Sequence, residues 1–183
     1  MARIILINPR FETSFWSMSH SLAILGRSAT TPTSALTLLA ALTPDHYQVE
    51  LIDEAVEPID YQKVIAADIV GLTGMIVQKE RMLEIAKEVK RLGNYLVIGG
   101  PWVTVQENYF EGIADVIFVG EADVTWPTFL KDWEQNVVKH RYEQSDRTDM
   151  TKLPLPRNDL LKLNLYLQGS VQMSRGCPYL CEF

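Results

Sequence analysis

Cysteine is almost absent from this chain of 183 residues, and its two cysteines both lie within the last seven positions. Residues 1–176 contain none. This excludes a disulfide framework as the means by which the domain is held together, and it makes a reducing cytoplasm the expected compartment.

The chain also lacks a basic cluster and a long apolar run. Its net charge is −6 and no group of lysines and arginines suggests a nucleic-acid face. The apolar run Ile4–Ile7 near the start is too short for a signal segment or a membrane span, and it favours a buried strand. With 47% apolar and 22% charged residues, the composition is that of an ordinary soluble globular protein with one well-buried domain.

Short apolar runs alternate with segments of helical period, which predicts a doubly wound α/β fold with a parallel sheet. The predicted strands are Arg3–Asn8, Gln48–Ile52, Ile69–Leu72, Tyr95–Ile98 and Val116–Val119. Five strands suggest a flavodoxin-like or Rossmann-like sheet in the order 2-1-3-4-5 with right-handed crossovers.

Helices are predicted between the strands from apolar residues at i, i+3, i+4 and i+7. Two such stripes are Met82, Ile85, Ala86 and Val89, and Trp126, Phe129, Leu130 and Trp133. The first helix is expected to begin at Thr31-Pro32, with the threonine as N-cap, and to bury Leu36 and Leu39.

The pattern changes at about His140. Residues 140–149 are polar without an apolar period, which predicts a linker or an exposed excursion, and Leu153-Pro154-Leu155-Pro156 predicts an extended strap. Residues 170–173 could form the first strand of a following domain. We therefore expect a Rossmann-like domain over 1–139, a linker and strap over 140–169, and the start of another domain over 170–183.

Ligands of open α/β sheets bind beyond the carboxyl ends of the strands. Glycine there lets the backbone approach a large planar or phosphate-bearing ligand, although glycine also simply serves turn geometry. Thr73 offers a hydroxyl, and Glu121 can accept a hydrogen bond from a sugar hydroxyl. The candidate contacts at these ends are Asn8, Pro9, Arg10, Thr73, Gly74, Met75, Gly99, Gly100, Pro101, Gly120 and Glu121.

The last residues contain two thiols, Cys177 and Cys181, separated by three residues and followed by Glu182 and Phe183. With Ser174-Arg175-Gly176 before them they read SRGCPYLCEF, which resembles the cluster loop C-x-x-x-C-x-aromatic-C of the radical S-adenosylmethionine (radical SAM) enzymes. A third cysteine is then expected directly after Phe183, in a longer parent enzyme. Half of a zinc site or a short disulfide is the alternative interpretation of the pair.

The whole chain resembles the N-terminal cobalamin-binding domain of B12-dependent radical SAM proteins. The shared features are Asn-Pro after the first strand, Asp53 at the end of the second, Gly-Leu-Thr, Gly-Gly-Pro, Gly-Glu and the strap LPLPRNDLL. The resemblance implies a domain that clamps cobalamin against a radical SAM barrel. It also implies an enzyme that cleaves SAM at a 4Fe-4S cluster and in many members methylates an unreactive carbon.

Residue by residue, the resemblance implies that Cys177 and Cys181 are two of three cluster ligands and that Phe183 flanks the SAM adenine. It implies contacts to the corrin and nucleotide tail from Thr73, Gly74, Gly99, Gly100, Gly120 and Glu121. No complete catalytic site is expected in these 183 residues alone. The Asp-x-His-x-x-Gly motif of many cobalamin proteins is missing, so the cobalt is not expected to take a histidine from below; His20 is the one histidine in that loop.

Two other interpretations remain open. The missing histidine motivates a Rossmann-like scaffold or substrate-docking domain that binds no cobalamin and supports the barrel. A free-standing receiver or flavodoxin module fits the sheet but leaves the terminal cysteines unexplained.

Overall fold

A parallel sheet of six strands forms the centre of the computed structural model, which describes residues 1–14, 17–177 and 179. The strands are β1 (Arg3–Asn8), β2 (Gln48–Asp53), β3 (Ile69–Thr73), β4 (Tyr95–Gly99), β5 (Val116–Gly120) and β6 (Arg141–Gln144). Their order is β2-β1-β3-β4-β5-β6, and every neighbouring pair is parallel. The doubly wound sheet and the order 2-1-3-4-5 are therefore confirmed, with a sixth strand added.

The expectation of a linker or exposed excursion over 140–149 is wrong for β6. This strand pairs with β5 over four residues. Only Tyr142 of the four is buried, where it stacks on Phe118 with ring centroids 5.5 Å apart. One buried side chain in an edge strand gives too little alternation for a strand to be read from the sequence.

Helices cover both faces of the sheet. They are α1 (Ser19–Ile24), α2 (Ser34–Leu42), α3 (Tyr61–Ile65), α4 (Lys79–Arg91), α5 (Pro101–Val105) and α6 (Thr125–Glu134). The strand period of two sends Ile5, Val70 and Ile98 towards α3, α4 and α5. It sends Leu6, Val97 and Phe118 towards α2 and α6.

The helix predicted to begin at Thr31-Pro32 is α2, which starts later, at Ser34. Contrary to the prediction, it is also not the first helix, because α1 precedes it. The carbonyls of Ala29 and Thr30 accept hydrogen bonds from the backbone of Leu167 and Gln168. These residues are thus extended beside the strap, and the helix can begin only after them.

The strap runs back over the sheet in short 3₁₀ turns, at Met150–Lys152, Asn158–Leu160 and Leu163–Leu165. It is fastened where Arg157 N donates to Thr37 O at 3.0 Å and where Tyr166 is buried. Residues 170–177 form no strand in the described structure, and the expected first strand of a following domain stays a prediction. A strand needs a neighbour to pair with, and in the described part of the chain these residues have none.

Candidate functional site

A cavity of about 470 Å³ lies at the carboxyl ends of β1, β3, β4 and β5. The first half of α2 forms one wall and residues 172–176 form another. Six of the residues predicted from the sequence line it together: Thr73, Gly99, Gly100, Pro101, Gly120 and Glu121. The volume is within the range of about 300–1,000 Å³ typical of small-molecule sites.

The cavity exists because of how the crossovers and glycines are distributed. The helices after β3 and β4 pack on the first face, while α2 and α6 pack on the second. Along β3 and β4, Gly71 and Gly99 follow Ile69 and Val97 by two residues, so both occupy positions that face the second side. A Cβ on Gly71 would come within 2.6 Å of Leu6 Cδ2, and one on Gly99 within 3.1 Å of Phe118 Cβ. Glycine at these positions therefore lets Leu6 and Phe118 pack closely against the strands where they line the cavity.

Gly100 and Gly120 have a different reason to be glycine. Their φ values are 99° and 79°, in the left-handed region that side chains disfavour. A Cβ on Gly100 would also collide with Thr73 Oγ1, and one on Gly120 with the carbonyl of Gln144. Backbone conformation alone thus requires these two glycines, whereas Gly99 has no positive φ and faces the cavity.

The residues after β1 are held by the protein itself. Asn8 is buried and its Nδ2 donates to Asp53 Oδ1 at 3.0 Å. The Gln78 amide donates to the Pro9 carbonyl, and the Arg10 backbone N–H donates to Glu54 Oε2 at 3.1 Å. These three residues lie outside the lining of the cavity, and their contact to a cofactor stays a prediction.

Two further candidates, Gly74 and Met75, lie at the end of β3, also outside the lining. A Cβ on Gly74 would come within 2.7 Å of Met82 Sδ, so packing limits this position. Met75 is 45% exposed, and its backbone N–H donates to Gln78 Oε1 at 2.9 Å. An exposed thioether at a strand end is available to a ligand lying on this face.

Glu121 is the one ionisable candidate that lines the cavity. Its Oε2 accepts from Arg175 Nη1 at 3.0 Å, and from the Thr148 hydroxyl. Burial alone would raise the pKa of Glu121, but the hydrogen bonds from Thr148 and Arg175 outweigh it and hold the pKa below its ordinary value. The carboxylate is therefore ionised at neutral pH and can accept hydrogen bonds from a ligand hydroxyl.

Of the predicted cluster residues, the structure places Cys177, which is exposed. Cys181 and Phe183 lie outside the described residues. No three His, Cys, Asp or Glu side chains come together as a metal site in ranges 1–14, 17–177 and 179. Cys177 follows the cavity wall directly, so a group held by this thiol would lie next to the cavity.

The sequence interpretation missed two contributors to the cavity. The first is the start of α2, where Ser34, Ala35 and Leu36 line the wall. In a doubly wound sheet the helix that leads from β1 to β2 begins beside the strand ends, which is the pattern that could have identified it. The second is Arg175, the one basic residue next to the thiol loop, whose acidic partners follow β5.

None of the helices described is both long and apolar enough to cross a membrane.

Comparison with known proteins finds relatives along nearly the whole chain, although no family model matches it. It is 35% identical over 182 residues to an uncharacterized methyltransferase of Synechocystis sp., covering 99% of this chain and 34% of that protein. It is 31% identical over 186 residues to the hopanoid C-2 methylase of Rhodopseudomonas palustris, covering 99% of this chain and 35% of that protein.

A third relative is the bacteriochlorophyllide d C-8(2)-methyltransferase of Chlorobaculum tepidum, 33% identical over 157 residues, covering 81% of this chain and 34% of that protein. The chain thus spans about a third of the length of these curated relatives. It is similar to proteins that are named as methyltransferases.

Proposed function

We propose that this chain is the cobalamin-binding part of a cobalamin-dependent radical SAM methyltransferase. The observation that carries the proposal is the cavity at the carboxyl ends of the strands, where Gly71 and Gly99 occupy inward-facing positions. The similarity to proteins named as methyltransferases supports a methyl-transfer reaction. Together they favour a domain that holds a large methyl-carrying cofactor.

The residues of the cavity fit one part of cobalamin. Leu6, Leu36 and Phe118 give the cavity an apolar lining, which suits the flat aromatic base of the nucleotide tail. Thr73 and Glu121 add a hydroxyl and a carboxylate to the lining, and the carboxylate can accept a hydrogen bond from a ribose hydroxyl of the tail. The corrin ring would then lie outside the cavity, on the strand ends.

The chain's own residues would bind and orient the cofactor. Bound cobalamin supplies a methyl group for transfer. Residues 172–176 and α2 would exclude water from the tail, and Met75, 45% exposed, offers an apolar contact to the ring. Cys177 would contribute one thiolate to an iron–sulfur cluster, next to the ligand face.

The test is to mix the chain with hydroxocobalamin or with dicyanocobinamide, which lacks the nucleotide tail, and to measure retention of the corrin absorbance after desalting. If the tail fills the cavity, hydroxocobalamin is retained and the cobinamide is lost. A colourless protein after both mixtures contradicts the proposal and favours a scaffold domain that binds no cobalamin. Equal retention of both would show that the tail does not enter the cavity.

A variant that fills the cavity sharpens the test. Ala35 is an exposed residue of α2 that lines the cavity, so Ala35→Phe adds a ring there with little cost to the fold. We expect hydroxocobalamin to bind at least about tenfold more weakly, which corresponds to about 1.4 kcal/mol. The matched control is Ala66→Phe, at an exposed alanine that ends α3 near the opposite edge of the sheet, which should bind as the unaltered chain does.

A further inference from the structure

Arg175 is bound by two carboxylates that follow β5. Its Nη1 donates to Glu121 Oε2 at 3.0 Å and to Asp123 Oδ2, and its Nε donates to Gln172 Oε1 at 3.0 Å. The Arg175 side chain is 19% exposed and that of Asp123 is 6% exposed. A charge pair so far removed from water is much less screened by salt than a surface pair.

Residues other than the arginine also hold the two carboxylates. The Thr148 hydroxyl lies within hydrogen-bonding distance of both, at 2.7 Å from Asp123 Oδ2. Gln144 Nε2, at the end of β6, donates to that hydroxyl at 2.8 Å. Two neighbouring carboxylates repel each other, and the guanidinium of Arg175 between them offsets this repulsion.

The arginine belongs to the segment that walls the cavity. Gln172, Ser174, Arg175 and Gly176 line it from the side opposite the sheet. These residues have neither helix nor strand to hold them, and Gly176 has a φ of 83° that turns the chain beyond the arginine. The Arg175 contacts therefore fix where this wall lies.

We propose that Arg175 is a positioning residue for residues 172–176, which we call the gate. Its contacts to Glu121 and Asp123, which we call the latch, hold the gate across the cavity. The gate opens for a ligand to enter or leave. Because Cys177 follows two residues later, the same latch sets where the thiol loop begins relative to the ligand. The identity of the ligand rests on the proposed function; the latch itself does not.

Trypsin cleavage after Arg175 tests the latch without any ligand. The protease must take the arginine side chain into its own acidic pocket, so cleavage reports the population in which Arg175 has left Glu121 and Asp123. Asp123→Asn should raise the rate at the Arg175–Gly176 bond by about tenfold or more, as the loss of a hydrogen bond to a charged group implies.

The controls for this experiment are in the same chain. Asp146→Asn makes the same charge change at an exposed neighbouring residue and should leave the rate unchanged. Cleavage after Lys152, whose side chain is 81% exposed, gives the internal standard, and cleavage after Arg81 within α4 would reveal general unfolding. Equal rates at Arg175 in Asp123→Asn and Asp146→Asn overturn the latch.

Hydroxocobalamin binding rates test the gate. Thr148 does not line the cavity, so Thr148→Val affects the gate only by removing the hydroxyl that holds Glu121 and Asp123. The matched control is Thr151→Val. We expect association and dissociation to become faster together in Thr148→Val alone. A change in neither rate, or in dissociation only, overturns the gate. If no variant and no unaltered chain retains the corrinoid, the proposed function fails while the tryptic result still decides the latch.

Discussion

At the scale of single residues, Tyr166 shows how the strap is fastened to the sheet. The side chain is 4% exposed, and its hydroxyl donates to Asp53 Oδ2 at 2.8 Å. The other oxygen of Asp53 accepts from Asn8 Nδ2 and from the backbone of Ala55, both at 3.0 Å. Removing one of the three donors to this buried carboxylate leaves part of its charge without a partner and lowers the stability of the fold.

Tyr166→Phe removes one of these donors and leaves the packing of the ring. We expect the free energy of unfolding at pH 7 to fall by about 1.5–3 kcal/mol, the typical contribution of a hydrogen bond to a charged group. Urea denaturation followed by circular dichroism measures it. The control is Tyr179→Phe, at a tyrosine 77% exposed, where a loss above about 0.5 kcal/mol would be inconsistent with a local role for the hydroxyl.

Tyr166→Phe should also change how the free energy of unfolding depends on pH in alkaline solution. Burial, and then the charge of Asp53, raise the pKa of Tyr166 above the ordinary value of 10.0. The unfolded chain therefore loses this proton at lower pH than the folded chain. The stability from Tyr166 is complete below about pH 10 and is lost as the pH rises beyond it, so the decline above pH 10 should be shallower in Tyr166→Phe.

At the scale of elements, the regular parts of the sheet follow closely from the sequence. All five predicted strands exist, and four of them extend one residue further than predicted. The α4 stripe of Met82, Ile85, Ala86 and Val89 is fully buried, as its spacing indicates. The apolar runs and stripes within these segments are enough to specify them, without contacts to residues distant in sequence. The strand β6 and the late start of α2 depend instead on partners distant in sequence, Phe118 and the strap.

Tyr142→Ala tests whether β6 belongs to the core. The ring is 5% exposed, stacks on Phe118 and lies edge-on to Phe129, and its hydroxyl donates to Asp132 at 2.7 Å. We expect a loss of about 3–5 kcal/mol in the free energy of unfolding, as for other buried aromatic residues cut to alanine. Tyr142→Phe keeps the ring and should lose much less. A loss near zero for alanine would restore the interpretation of residues 140–149 as a linker.

At the scale of the whole molecule, the cavity brings together residues from 6 to 176 in the chain. The sequence predicts the strand-end members because the carboxyl ends of parallel strands must share one edge. It does not predict Ala35 or Arg175, since their place depends on how a helix and an irregular segment pack. The glycines illustrate the same difference, because a sequence cannot tell the positive φ required at Gly100 from the close packing against Phe118 at Gly99.

The sequence predicts that the domain ends at residue 139, and truncation of the chain tests this boundary. A chain of residues 1–139 lacks β6, Thr148 and Tyr166, so it exposes Phe118 and removes the Tyr166 hydroxyl that donates to Asp53 Oδ2. A chain of residues 1–168 keeps all of these contacts. We expect 1–168 to unfold cooperatively in urea and 1–139 to unfold at much lower urea or without a cooperative transition. Equal midpoints would place the end of the domain at 139 and would make the strap dispensable for the fold; a large difference makes residues 140–168 part of the domain.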